Sequence, residues 1–131
     1  KGCLEQYASA TGLVRLAKRY FEKNTKNSIL TGKEITAKEV FDAAKAGDAA
    51  ALEITEEFGA YLGQALVNIA ATVDPAVFVI GGGVSKAGDI LLETVRKYFN
   101  DHAFNGNQKT KITLATLGND AGIYGAAKQV L

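Results

Sequence analysis

The stretch Ala76–Ser85, AVFVIGGGVS, decides how this chain is read. Val77, Phe78, Val79 and Ile80 are β-formers with no polar residue among them, the pattern of a strand buried on both faces. Gly81, Gly82 and Gly83 follow, which open backbone conformations closed to other residues and leave room for a ligand to come close. Ser85 is placed to cap the next helix, whose free N–H groups and positive dipole end favour an anion. A tight strand-to-helix connection with no ligand fits the same ten residues.

Downstream, Ile90, Leu91, Val95 and Phe99 (or Tyr98) give a buried stripe to a helix over about Ala87–Asn100. Asp101–Thr110 reads as a hydrophilic loop, Ile112–Thr116 as a second strand and Leu117–Asp120 as a turn. A last helix covers about Ala121–Val130. Its Gly122, Gly125, Ala126 and Ala127 form a face small enough to lie against a neighbouring backbone.

Upstream there are three helices. The first runs from Tyr7 or Ser9 to Glu22, with Leu13, Leu16, Ala17, Tyr20 and Phe21 on one face. Asn24–Gly32 is a loop. Thr36 and Glu39 make a capping box for the second helix, with Ile35 and Val40 as the hydrophobic staple, and Gly47 ends it. Asp48 caps the third and longest helix, about Ala49–Val73, whose apolar stripe is Phe58, Leu62, Leu66 (or Ala65), Ile69 and Val73. Gly59 and Gly63 sit four apart inside it, each at a cost of up to about 1 kcal/mol against alanine. Something must therefore pack closely on them. Asp74-Pro75 stops the helix. The order α-α-α-β-α-β-α predicts a helix-rich α/β fold, its two strands parallel neighbours joined by a right-handed crossover. Two strands are an incomplete parallel sheet.

Composition narrows the classes. The chain has 131 residues, enough for one domain with a real core. Fifteen Lys and Arg against 14 acids leave a charge of +1, and the lysines are dispersed, which offers nothing to nucleic acid or to a membrane surface. No apolar run approaches the roughly 20 residues of a membrane span, and there is no secretory leader. One cysteine, Cys3, excludes an internal disulfide and fits a reducing cytoplasm. The absence of methionine and the opening Lys1-Gly2-Cys3 lead to the expectation of a piece of a longer protein.

The glycine turn is not a dinucleotide fingerprint, because Lys86 stands where G-x-G-x-x-G needs glycine or alanine, and it lacks the G-K-[ST] of a Walker A loop. A strand, a glycine turn and a helix start remain, which suits backbone contact with a nucleotide's adenosine and phosphates. Cys3 by itself reads as a small hydrophobe, and Glu5 as a solvated charge ahead of a helix. One cysteine cannot make a four-ligand zinc site. His102 reads as a surface residue and Asp120 as a helix cap; no Ser-His-Asp or Cys-His set can be assembled.

Three segments together resemble a known family: GCLEQYASATG at the start, VDPAVFVIGGGVSKAGD in the middle and LGNDAGIYGAA at the end. In that order they look like the C-terminal part of a ROK-family sugar kinase, most like the bacterial glucokinases, over essentially residues 1–131. The resemblance implies the C-terminal lobe of the actin, Hsp70 and sugar-kinase (ribonuclease H-like) fold, with an incomplete sheet. It implies that Glu5 hydrogen-bonds sugar hydroxyls and that Gly81, Gly82 and Gly83 bind the nucleotide. Cys3 would be the last ligand of a structural Zn2+ whose other ligands have no counterpart here. The final helix, Asp120–Ala127, would pack under the nucleotide cleft.

What the family implies for the reaction is transfer of the ATP γ-phosphoryl group, with Mg2+, to the 6-hydroxyl of glucose in the cytoplasm, by a homo-oligomer. The family's phosphate-binding D-x-G-G-T turn and catalytic aspartate match nothing in this chain, so the chain alone is expected to be inactive. The alternative of another class is a sugar-sensing transcriptional repressor of the same family, which keeps these segments behind a DNA-binding motif.

Overall fold

The computed structural model describes residues 2–130. Its elements are helices α1 (Ala10–Lys23), α2 (Ala37–Lys45), α3 (Ala49–Val73), α4 (Asp89–His102) and α5 (Ala121–Lys128), and strands β1 (Val77–Ile80) and β2 (Lys111–Leu114). The fold is helix-rich α/β with a two-stranded parallel sheet, Val77 opposite Lys111 and Ile80 opposite Leu114.

The caps of α2 and α3 act as read. Thr36 accepts the Glu39 amide while the Glu39 carboxylate accepts the Thr36 amide at 2.8 Å. Hydrogen bonding of the carboxylate by the Thr36 side chain and backbone, helped weakly by the charges of Lys38 and Lys33, outweighs the opposing effect of burial and leaves Glu39 below its ordinary carboxyl pKa. Gly47, at φ +84°, follows the end of α2, and Asp48 accepts the Ala51 amide at 2.9 Å to start α3. Asp74 closes α3 in the left-handed region at φ 40°, with the Asn107 side-chain amide donating to its carboxylate at 2.7 Å.

The core lies between α1, α2 and α3 on one side and α4 with the sheet on the other. Leu13, Ile54, Phe58, Leu91, Val95 and Phe99 are wholly buried. Helices α3 and α4 form the most extensive contact in the fold, and the two interior glycines explain it. A methyl on Gly59 would lie 2.7 Å from Thr94 Cβ, and one on Gly63 2.9 Å from Tyr98 Cβ. Helix α4 is the close neighbour that the glycines called for.

The structure corrects the sequence reading of β1, α3 and α5. Strand β1 is not buried on both faces. Phe78 and Ile80 turn toward α4, where Phe78 meets Phe99 edge-on at 6.0 Å, but Val77 and Val79 are 45% and 60% exposed. A strand is covered on both faces only where helices lie on both, and among the described residues none lies on this one. The α3 stripe also takes other positions at its end. Ile69 and Val73 are exposed, and the buried positions near that end are Leu66 and Ala70. Helix α5 is exposed along its length, and nothing lies within 4 Å of a methyl placed on Gly122 or Gly125, so its small face packs on no backbone among the described residues. No described helix is long and apolar enough to cross a membrane.

Candidate active site

The glycine turn needs glycine for conformation at one of its three positions. Gly82 has φ 78° and ψ −167°, a region that side chains exclude, whereas Gly81 and Gly83 do not have positive φ. At those two, methyls would make only ordinary contacts, 3.4 Å from Ala115 Cβ and 3.9 Å from Ala10 Cβ. The turn presents bare backbone to its surroundings all the same.

Ser85 does not cap α4. The chain leaves Gly82 in a short 3-10 turn, Gly83–Ala87, in which the Ser85 hydroxyl donates to the Gly82 carbonyl at 2.7 Å. Gly88, at φ 74°, then turns the chain into α4 with no side-chain cap. The dipole end of α4 is therefore one 3-10 turn away from the glycines, and an anion at Gly81–Gly83 would meet the turn's own amides first. The K-A-G-D run contained this signal, since a glycine just before an acidic first turn is a common helix entry.

Helix α2 packs against the 3-10 turn, and a groove of about 170 Å3 runs between them, lined by Ala37, Lys38, Phe41, Lys45, Gly83 and Lys86. Lys38 donates to Asp42 at 2.7 Å; that bond raises the lysine's pKa and lowers the carboxyl's, so both are ionised at neutral pH. A larger cleft of about 780 Å3 lies between α2, α3 and α4, lined by Leu52, Thr55, Ile90 and a balanced set of cations and anions. It includes none of Gly81–Gly83, so the smaller groove is the one associated with the turn. Sequence reading missed the α2 wall because it depends on a contact between residues more than forty positions apart.

Glu5 lies in a one-turn 3-10 segment, Leu4–Gln6, and is exposed, as is Cys3. Ser9 secures this segment to α1: its hydroxyl donates to the Glu5 carbonyl and accepts the Gly12 amide at 3.1 Å. Ala10, the first residue of α1, is also the residue that Gly83 faces. The start of α1 thus joins the segment carrying Glu5 to the segment carrying the glycines, although 75 or more positions separate them in sequence.

The remaining candidates behave differently. Among the described residues no group of three or more His, Cys, Asp or Glu could hold a metal, and Cys3 supplies a single thiol where zinc takes four ligands. His102 is on the surface as read, but it is the last residue of α4, stacked on Tyr98 at 3.9 Å with Nδ1 2.9 Å from the Tyr98 carbonyl. Asp120 precedes α5 without capping it; its backbone is already helical and its side chain makes no cap bond.

The chain matches the ROK family over residues 1–131. It is 42% identical to the glucokinase of Halalkalibacterium halodurans over 129 residues, covering 95% of this chain and 39% of that protein. The structure superposes on a ROK family glucokinase from Streptomyces griseus, in complex with glucose and AMPPNP, with a TM-score of 0.86 and 35% identity, over 98% of this chain and 44% of that one. It also resembles a ROK family transcriptional regulator, a homologue of the E. coli MLC protein, with a TM-score of 0.71 and 26% identity, over 86% of this chain and 29% of that one. The chain thus spans about two fifths of the length of the kinases that it matches.

Proposed function

Because the chain belongs to the ROK family, we propose that it is part of the C-terminal lobe of an ATP-dependent sugar kinase acting in the cytoplasm, with the 6-hydroxyl of glucose as acceptor. The observation that carries this reading is the start of α1, where Ser9 bonds the Glu5 carbonyl and the next residue, Ala10, lies beside Gly83. A kinase needs its two substrates held side by side, and most of its catalysis is positioning plus stabilisation of charge on the transferred phosphoryl group.

Glu5 has the chemistry for the sugar. A carboxylate accepts hydrogen bonds from two adjacent hydroxyls and is acceptor-only when ionised. Gly81–Gly83 have the chemistry for the nucleotide: backbone N–H groups on a turn without side chains admit the ribose and phosphates closely, and the groove beside α2 offers Phe41 and Ala37 as apolar wall for a base. ATP would enter as its Mg2+ complex, whose ion neutralises charge on the phosphates. Cys3 would be a single ligand of a structural zinc completed by residues outside this chain; no catalytic step depends on it. The base that takes the sugar's proton lies outside this chain too, so residues 1–131 alone are inactive in this reading.

Support comes from the similarity to a glucokinase in complex with glucose and AMPPNP. The test is glucose-dependent ADP formation by the full-length protein, compared with Glu5→Gln and Gly82→Val. We expect the first variant to raise the KM for glucose and the second the KM for ATP. Full activity in both would reject the site. The second reading, a sugar-sensing repressor, draws on the similarity to the regulator. Sugar-dependent DNA binding without phosphoryl transfer would favour it.

A further inference from the structure

Glu5 sits in a segment with no buried residue of its own: Cys3, Leu4, Glu5 and Gln6 are all exposed. Such a segment lies beside α1 and α3 without burying a side chain of its own, and a sugar-binding carboxylate must be held to a fraction of an ångström. The anchors lie just after it. Gly12 lets the Tyr7 backbone lie directly on α1, since a methyl there would be 2.6 Å from the Tyr7 carbonyl oxygen. The Tyr7 ring then packs on Tyr61 of α3, with ring centroids 5.0 Å apart and planes tilted by 35°. Beside it, Arg19 of α1 is paired with Glu57 of α3, one helical turn before Tyr61, which ties the two helices together next to the ring. Aromatic pairs in this range stabilise beyond the area they bury. That is enough to bias a surface segment toward one position.

We propose that Tyr61, acting through Tyr7, is a positioning residue for Glu5, an inference that rests on reading Glu5 as the sugar-binding carboxylate. Tyr61 belongs to the longest helix of the core and Glu5 to an exposed turn, so their connection passes a rigid reference to the sugar side of the cleft. The aromatic face, not the hydroxyl, does the positioning. The nucleotide turn rests instead on α2 and the start of α1, so losing the ring contact affects sugar binding selectively.

The test is steady-state kinetics of the full-length kinase with Glu5→Gln, Tyr7→Ala, Tyr61→Ala, Tyr61→Phe and the Tyr7→Ala/Tyr61→Ala double variant. Tyr7→Ala and Tyr61→Ala should each raise the KM for glucose about tenfold, since a displacement of about 1 Å can cost up to a hundredfold. The KM for ATP should stay within about twofold, and Tyr61→Phe should restore the glucose KM. The double variant should be no worse than either single one, because both break one contact. An unchanged glucose KM in Tyr61→Ala alongside a raised one in Glu5→Gln overturns the positioning role and leaves the sugar site standing. Equal rises in both KM values, or additive effects in the double variant, also overturn it. An unchanged glucose KM in Glu5→Gln overturns the sugar site and this inference with it. Should Tyr61→Ala fail to fold, Tyr7→Ala carries the same expectation, because Tyr7 is outside the buried core.

Discussion

Gly59→Ala tests how α3 and α4, the most extensive helix contact in the fold, fit together. In an exposed helix interior this change stabilises by up to about 1 kcal/mol, because alanine is the better helix former. Here the added methyl would lie 2.7 Å from Thr94 Cβ, 2.9 Å from Thr94 Oγ1 and 3.1 Å from the Thr94 carbonyl carbon. Carbon atoms pack best at about 3.5–4.0 Å, so α4 must retreat by roughly 1 Å. A backbone atom is among the obstacles, so no side-chain rotation relieves the clash. Overpacking of this kind costs about 1–3 kcal/mol, which outweighs the propensity gain and leaves a net loss of about 1 kcal/mol, at most about 2. Gly125→Ala in α5 is the control, since nothing lies within 4 Å of its methyl and only the propensity gain remains. Urea unfolding of the full-length protein, with midpoints compared at unchanged m-value, reads both. Equal or greater stability in Gly59→Ala would refute the close α3–α4 fit.

Three further outcomes follow from other parts of the fold. Burial pushes the Asp48 carboxyl up, but hydrogen bonds from the Ala51 and Ile29 amides and the Ser28 hydroxyl outweigh it and leave its pKa below the ordinary aspartate value. With the folded pKa depressed, its contribution is present above the unfolded value near 4 and is lost as pH falls through the folded one. Asp48→Asn should therefore flatten the stability profile below about pH 4, and an unaltered profile would count against this bonding. Arg96 donates to the Ile112 carbonyl on the outer edge of β2 at 2.6 Å, blocking that edge. Arg96→Ala should increase concentration-dependent association, which light scattering reads; a monodisperse variant at all concentrations would contradict the blocking role. Gly82→Ala should weaken ATP binding through backbone strain of about 1–3 kcal/mol, whereas Gly81→Ala should be tolerated. Equal titration curves for the two would show that the conformation of Gly82 does not matter.

Local chemistry was legible in this sequence and long-range cover was not. The capping box at Thr36 and Glu39, the bounds of α3 and the demand of Gly59 and Gly63 for a close neighbour are set by residues a few positions apart, and the structure repeats them. Val77 and Val79 misled because a run of β-formers records what a strand tolerates, and its exposure depends on layers supplied elsewhere. Ile69 and Val73 kept to a helical line that the packed face leaves after Leu66, where the next buried position is Ala70. Ser85 was a suitable cap by type, but the 3-10 turn consumes it before α4 begins. At the site, GGG and GCLE were visible as motifs, whereas their common link to the start of α1 and the wall supplied by α2 required the fold.

The proposed cleft makes its most direct statement about two segments far apart in sequence. Hydrogen exchange of the full-length protein, followed segment by segment with glucose alone and with a non-hydrolysable ATP analogue alone, tests it. Glucose should slow exchange at Leu4–Ser9, and the analogue should slow it at Gly81–Ala87 and along Ala37–Lys45. Protection by the analogue that bypasses Gly81–Ala87, or by glucose that bypasses Leu4–Ser9, would contradict the assignment of these segments to one kinase cleft.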